Sequence, residues 1–345
     1  MSTARHRRIV ILILVLMAAF LGQARAETGL KGAGATFPYP LYSKWFKDYA
    51  AVDPGVSFDY QAIGSGGGIK AILSGSVDFG ATDKYLSDQE LKQAPGKLLH
   101  IPTVLGAVAV SYNLPEVGAG LRLTGDTLAG IYMGTISRWN DPRLVRDNPG
   151  RELPDQPIVV VHRSDASGTT SIFTDYLSRV DELWSSMFGM GASIAWPVGI
   201  GAKGNGEVVQ QIIANPYSIG YLEIAYALEN GLPSAVLKNR SGTFVKPSML
   251  STRAAAVHGL KKMKADYRVS LVDQPGTDSY PIVGLTWLLV YQQQKDAAKG
   301  KKLVEFLTWE LRKAEKMTST LHYTPLPKDL ADKVEKSIQS ITYPR

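Results

Sequence analysis

Two periods of apolar positions alternate along this chain. At 56–63, Val56, Phe58, Tyr60 and Ala62 fall at every second position, the period of a strand with one covered face. At 172–180, Ile172, Tyr176, Leu177 and Val180 fall three or four apart, the spacing of one helix face. Residues 302–317 repeat that spacing with Leu303, Phe306, Leu307 and Leu311. Apolar runs at 104–112, 157–161 and 281–291 suit buried strands. A short strand at 77–81 and helices at 41–49, 69–73, 128–133 and 207–213 complete the predicted set. Strands and helices thus alternate, which predicts α/β lobes built on open sheets.

The N-terminus follows a different logic. Arg5, Arg7 and Arg8 precede an apolar run at 9–21, and Ala24-Arg25-Ala26 is a small-x-small cleavage site. This is the layout of a secretory signal peptide over 1–26, with the mature chain starting near Glu27. The apolar run, about 13 residues, is too short to span a bilayer. Removing the leader removes four arginines and no acidic residue, taking the formal charge from +7 to about +3. No basic run with interleaved aromatics is left, which argues against a nucleic-acid partner. The chain has no cysteine, so it needs a core that holds without disulfides and offers no cysteine for a lipid anchor. Roughly 320 mature residues exceed what one core usually carries, and two lobes are expected. No Pro/Ser-rich linker divides them, so the chain is expected to cross on strands, near 108–112 and 281–290.

Three turns of one type carry the candidate chemistry. "KGAGATFP" places Thr36 and Phe37 before a helix, "AIGSGGG" places Ser65 before another, and "HRSDASGTT" places Ser167, Gly168 and Thr169 before a third. Helix N-termini offer unpaired N–H groups and partial positive charge, and glycine lets backbone approach a ligand. Any one such turn alone reads first as an ordinary N-cap or turn. Three together point to one shared anion site. Arg163 can present a planar fork to a tetrahedral oxyanion, and Asp165 can hold that fork. Asp83 follows the strand at 77–81 and is out of place beside an anion, unless the ligand carries a proton that Asp83 accepts. On local sequence it reads equally as a cap for the next helix.

With these residues in view, the chain resembles the periplasmic phosphate-binding proteins of Pst-type ABC transporters. "GAGATFP", "AIGSGGG", "VDFGATD", "RSDASGT", "WPVGIGAKGN" and "IGYLE" carry the resemblance, and the C-terminal part matches more loosely. It implies a two-lobed periplasmic binding fold with the ligand in the interlobe cleft. Lobe I would comprise 27–108 and 283–345, and lobe II 109–282. The phosphate ligands would be Thr36, Phe37 through its N–H, Ser65, Asp83, Arg163, Ser167, Gly168 and Thr169, with Asp165 pairing to Arg163. The implied protein is a periplasmic monomer without cofactor or metal that delivers inorganic phosphate to an inner-membrane ABC permease. Five positions depart from the pattern. Gly66 stands where a second Ser is common, Ala166 where Gly is, Lys84 and Tyr85 where smaller residues are, and His162 where Arg is. Lys84 and His162 bear on the field at the cleft mouth.

Three rival readings are set beside this one. A secreted phosphatase needs a metal cluster or an activated nucleophile. The five histidines are scattered, and neither His-Glu-x-x-His nor Gly-x-Ser-x-Gly occurs. Dinucleotide binding is suggested by Gly199, Gly201 and Gly204 with Glu223 downstream, but Pro197 makes 193–199 a poor central strand. A third reading is another oxyanion, sulfate or molybdate, against which the Asp83 carboxylate argues.

Overall fold

The computed structural model describes residues 27–344, so the expected leader at 1–26 lies outside the described residues. The chain opens with β1 (Thr28–Gly34), α1 (Tyr39–Val52), β2 (Val56–Gln61), α2 (Ser65–Leu73), β3 (Phe79–Thr82), α3 (Asp88–Leu91) and β4 (Leu98–Tyr112). It continues through β5 (Arg122–Leu123), α4 (Gly125–Tyr132), α5 (Pro142–Asp147), β6 (Val159–Arg163), α6 (Gly168–Val180) and α7 (Glu182–Met187). Next come β7 (Ile200–Ala202), α8 (Gly204–Ala214), β8 (Ser218–Glu223) and α9 (Ile224–Glu229). It ends with β9 (Val236–Lys238), β10 (Phe244–Val245), α10 (Met249–Gly259), β11 (Val283–Tyr291), α11 (Ala297–Thr320), β12 (Thr324–Pro325) and α12 (Lys328–Gln339).

One sheet runs through the molecule in the order β2-β1-β3-β11-β4-β8-β6-β7, with β12 also pairing to β4. Its two halves meet on β4. From Leu98 to Ala107 that strand pairs with β11, and from Val108 to Tyr112 it pairs with β8. Almost every residue of β4 is buried, which explains its continuous apolar run. The strand also carries Pro102, which cannot donate to a ladder. The register on β11 slips between Thr286 and Trp287, where Trp287 faces Pro102 and Thr286 faces Val104.

Helices cover both halves. On α1, Leu41, Tyr42, Trp45 and Tyr49 are buried, and Tyr49 meets Phe306 and Trp309 of α11 at ring distances of 5.4 and 5.2 Å. Each such apolar side chain contributes about 1.5–3 kcal/mol on burial. Several elements lie outside the predicted set, for different reasons. β1 is half glycine and alanine, with Leu30 its only large apolar residue. α10 buries only small residues, Ser251, Thr252, Ala255, Ala256 and Gly259, and so has no apolar stripe to detect. α12 does carry a plain row, Leu330, Val334 and Ile338.

Candidate functional site

The polar residues singled out in the sequence sit at or just beyond the C-terminal ends of strands. β1 runs parallel to β2 and β3, so the turns carrying Thr36, Ser65 and Asp83 lie together at one edge of their half. β6 runs parallel to β7 and β8, which places Arg163, Asn205 and Glu223 at the corresponding edge of the other half. These edges face each other, and ligand sites in open α/β sheets form outside such strand ends.

Arg163 is the last residue of β6 and is 3 % exposed. Its Nε and Nη2 donate to the two oxygens of Asp165 at 2.7 and 2.5 Å, and Nη1 donates to Thr169 Oγ1 at 3.3 Å. A guanidinium has five N–H groups. Three are thereby used, and one N–H on each Nη remains. Asp165 occupies the Nε edge, so the fork available to a ligand is the outer edge. Burial works against the Asp165 charge, but the bonds and charge of Arg163 win and hold this carboxyl below its usual range. Asp165 Oδ1 also accepts the Gly204 N–H at 3.0 Å.

Asp83 is 4 % exposed. The sequence left open whether it caps the next helix. It does not: Ser87 caps α3 with its own side chain. Asp83 Oδ1 instead accepts the Thr286 hydroxyl at 2.7 Å, and Oδ2 lies 3.4 Å from Ser65 Oγ. Burial pushes this carboxyl up to about 7, while the Thr286 bond, the Arg163 charge and Ser65 act to lower it.

The hydroxyls divide into two kinds. Ser167 caps α6, accepting the Thr170 N–H at 3.0 Å, and keeps its own proton free. Thr36 and Ser65 cap nothing. Ser65 accepts the Asp83 N–H at 3.1 Å, and Thr36 accepts two bonds from Asn205. The N-cap reading therefore holds for one of the three turns. At the start of α6 the N–H groups of Gly168 and Thr169 have no intrahelical partner. Gly168 is required there by space, since a Cβ would meet Ser65 Oγ and come within 2.7 Å of Asp83 Oδ2. Gly64 has φ +84°, and a Cβ on it would collide with the Asp165 carboxylate. Phe37 buries its ring in the core, and its carbonyl accepts the Tyr323 hydroxyl at 2.7 Å.

The two halves touch across the site. Gly66 N–H donates to Ala166 O at 2.9 Å, and the Tyr226 hydroxyl donates to Thr36 O at 2.5 Å. Sequence reasoning singled out neither Asn205 nor Thr286, Tyr221 or Tyr226. Tyr221 lies beneath the site, taking the Arg163 N–H at 3.1 Å and bonding Thr170 Oγ1 at 2.6 Å. A signal for Asn205 was present in the stretch 199–204, which fits the dinucleotide pattern. Residues 193–199 are not a strand, as Pro197 indicated. The glycines run instead through β7 into α8, whose first amides go to Asp165 and Thr36.

The two residues at the mouth are quiet. His162 stacks on Trp196 at 5.1 Å, its Nδ1 lies 3.1 Å from Arg163 O, and burial pushes its pKa down, toward the neutral form. Lys84 is paired with Glu90 at 2.7 Å. Among the described residues there is no cluster of three metal-ligating side chains, and no helix long and apolar enough to cross a membrane.

Residues 21–310 match the PBP superfamily domain. The phosphate-binding protein PstS of Xylella fastidiosa is 42% identical over 307 residues, covering 89% of this chain and 84% of that protein. The phosphate-binding protein PstS of Pasteurella multocida is 39% identical over 325 residues, covering 94% and 93%. Among solved structures, a high affinity periplasmic phosphate-binding protein bound with phosphate superposes with a TM-score of 0.73 at 23% identity, covering 90% of this chain and 93% of that one. The fold is the two-lobed fold of the periplasmic binding proteins. The chain belongs to the PBP superfamily and, within it, to the family of the phosphate-binding proteins PstS.

Proposed function

We propose that this protein captures inorganic phosphate between its lobes and passes it to an inner-membrane ABC permease, working in the periplasm as a monomer and without catalysis. The lobes would be 27–108 with 283–345, and 109–282, a division supported by the change of partner along β4 between Ala107 and Val108. The observation that carries the reading is one buried acceptor set among many donors. Thr36, Ser65, Ser167 and Thr169 supply hydroxyls, Phe37, Gly168 and Thr169 supply N–H groups, and Arg163 supplies its outer edge. Of the two carboxylates there, Asp165 is taken up by Arg163 and Gly204, and Asp83 is the one with an oxygen left for a ligand. A dehydrated anion needs that many donors. The single acceptor suits an oxyanion that still carries a proton, as phosphate does near neutral pH and sulfate does not.

Kinship with the phosphate-binding proteins supports a ligand that is bound and released unchanged. Family kinship supports export and the permease partner. Calorimetry of the mature protein with phosphate, sulfate and arsenate at two pH values tests the reading. Tight binding of phosphate and arsenate with weak binding of sulfate is expected. Equal or stronger binding of sulfate would overturn it.

A further inference from the structure

We propose that Asn205 is a positioning residue that makes the hydroxyls of Thr36 and Thr169 donors to the bound oxyanion. The proposal rests on the reading of the site given above and deepens it. A threonine hydroxyl has one proton and two acceptor lone pairs, and nothing in its own structure decides which will face a ligand. An anion requires the proton. At Thr36, both acceptor positions are filled by Asn205, through its backbone N–H at 3.2 Å and its Nδ2 at 2.9 Å. The hydroxyl proton is what remains, and no other role is left for it. At Thr169, Oγ1 receives Arg163 Nη1 at 3.3 Å and Asn205 Nδ2 at 3.4 Å, with the same consequence.

The carboxamide can act this way only in one orientation. Its Oδ1 accepts the Glu223 N–H at 3.1 Å. A flipped amide would set Nδ2 against that N–H, donor against donor. So both Nδ2 protons face the threonines, one toward each hydroxyl. All these partners are buried: Asn205, Thr36, Thr169 and Glu223 are each under 9 % exposed. Water is therefore a poor substitute for any member of the set. Thr36 stands at the end of β1 in one lobe and Asn205 at the start of α8 in the other, 169 residues away. The donor sense of Thr36 is accordingly set as the lobes come together, which ties the polarity of the site to its closure.

Titrations with inorganic phosphate on the parent, Asn205→Asp, Asn205→Ala, Thr36→Val and the Asn205→Ala/Thr36→Val double variant test this. Asn205→Asp keeps the shape but sets one carboxylate oxygen where Nδ2 stood, an acceptor facing both threonines, which turns their protons away from the ligand. It should raise Kd more than Asn205→Ala does, by about a hundredfold or more against about tenfold. In the cycle, Asn205→Ala should cost clearly less in the Thr36→Val background than in the parent, because the hydroxyl it orients is gone. In a Thr36→Ser background, which keeps the hydroxyl, Asn205→Ala should cost about as much as in the parent. Strictly additive single effects would overturn the proposal, as would an Asn205→Asp protein that binds phosphate like the parent. A purely structural role for Asn205 would lower the melting temperature without coupling to Thr36. A parent that fails to bind phosphate would instead sink the reading of the site itself.

Discussion

The Asp83 carboxylate and the Thr286 hydroxyl, 203 residues apart in the chain, meet at 2.7 Å in the buried cleft. They meet because β3 and β11 are antiparallel neighbours, with Trp287 opposite Thr82, so the next pair out places Thr286 against Asp83. Thr286 engages one carboxylate oxygen. The other, Oδ2, has only the long approach of Ser65 and is the one left to meet a ligand proton.

On the proposed reading of the site, selectivity rests on that oxygen. Toward phosphate it gains a short charge-assisted bond, and toward sulfate it faces another lone pair. Sites built on one such bond reject the analogue lacking it by roughly 10⁴. Asp83→Asn presents an N–H₂ group that suits either anion. It should bind phosphate within about tenfold of the parent yet lose most of its preference over sulfate. Paired titrations at one salt and one pH above 7, where Asp83 is ionised, measure the ratio. An unchanged ratio would remove Asp83 from the role.

The same carboxyl makes the ligand-free protein pH-sensitive. Folded, Asp83 keeps its proton up to about pH 7 because it is buried. Unfolded, it loses it near pH 4, roughly. Between those limits the folded state binds the extra proton, so raising the pH removes stability. Thermal melts without phosphate at several pH values should show the parent losing up to a few kcal/mol more across this window than Asp83→Asn does. Parallel profiles for the two proteins would contradict the assignment.

Arg163 donates to Asp165 through one edge, leaving its outer edge for a ligand. Lysine keeps the charge and cannot fill both edges at once. Arg163→Lys should weaken phosphate binding by about 1–3 kcal/mol. Calorimetry decides, and parent-like affinity would mean the fork is not used.

Closure is expected to accompany binding, since the donors belong to both lobes. Small-angle scattering should show a smaller radius of gyration with phosphate than without. Tyr226→Phe removes the donor to Thr36 O and should raise Kd by about two- to tenfold while leaving the ligand-free radius unchanged. A radius that ignores phosphate would count against closure.

Glu310 on α11 is fully buried, and neither carboxylate oxygen has a hydrogen-bond partner among the described residues. Burial raises its pKa well above the ordinary range. Methionine has a similar volume and no such cost. Glu310→Met should raise the melting temperature by a few degrees, for a gain of about 1–3 kcal/mol. A lower melting temperature would indicate that this acid is held by something its surroundings do not reveal.

Much of this protein was legible before any coordinate. The alternation of strand and helix periods, the three hydroxyl-bearing turns and the Arg163–Asp165 pairing are local properties, set within a few residues, and sequence spacing reports them directly. The long helix α11 was predicted at 302–317 because Leu303, Phe306 and Leu307 lie on one side of it. What local pattern misses is anything decided by distant partners. β1 has little apolar signal and forms because β2 and β3 flank it. α10 packs through small side chains, which leave no stripe. At the site, only tertiary structure turned Thr36 and Ser65 from apparent caps into groups facing Asn205 and Asp83. Only it brought Thr286 and Tyr226 to the cleft and left Arg163 its outer edge. Hydrogen-bond partners of that kind depend on strand order and register, and these place side by side residues that the sequence keeps some two hundred positions apart.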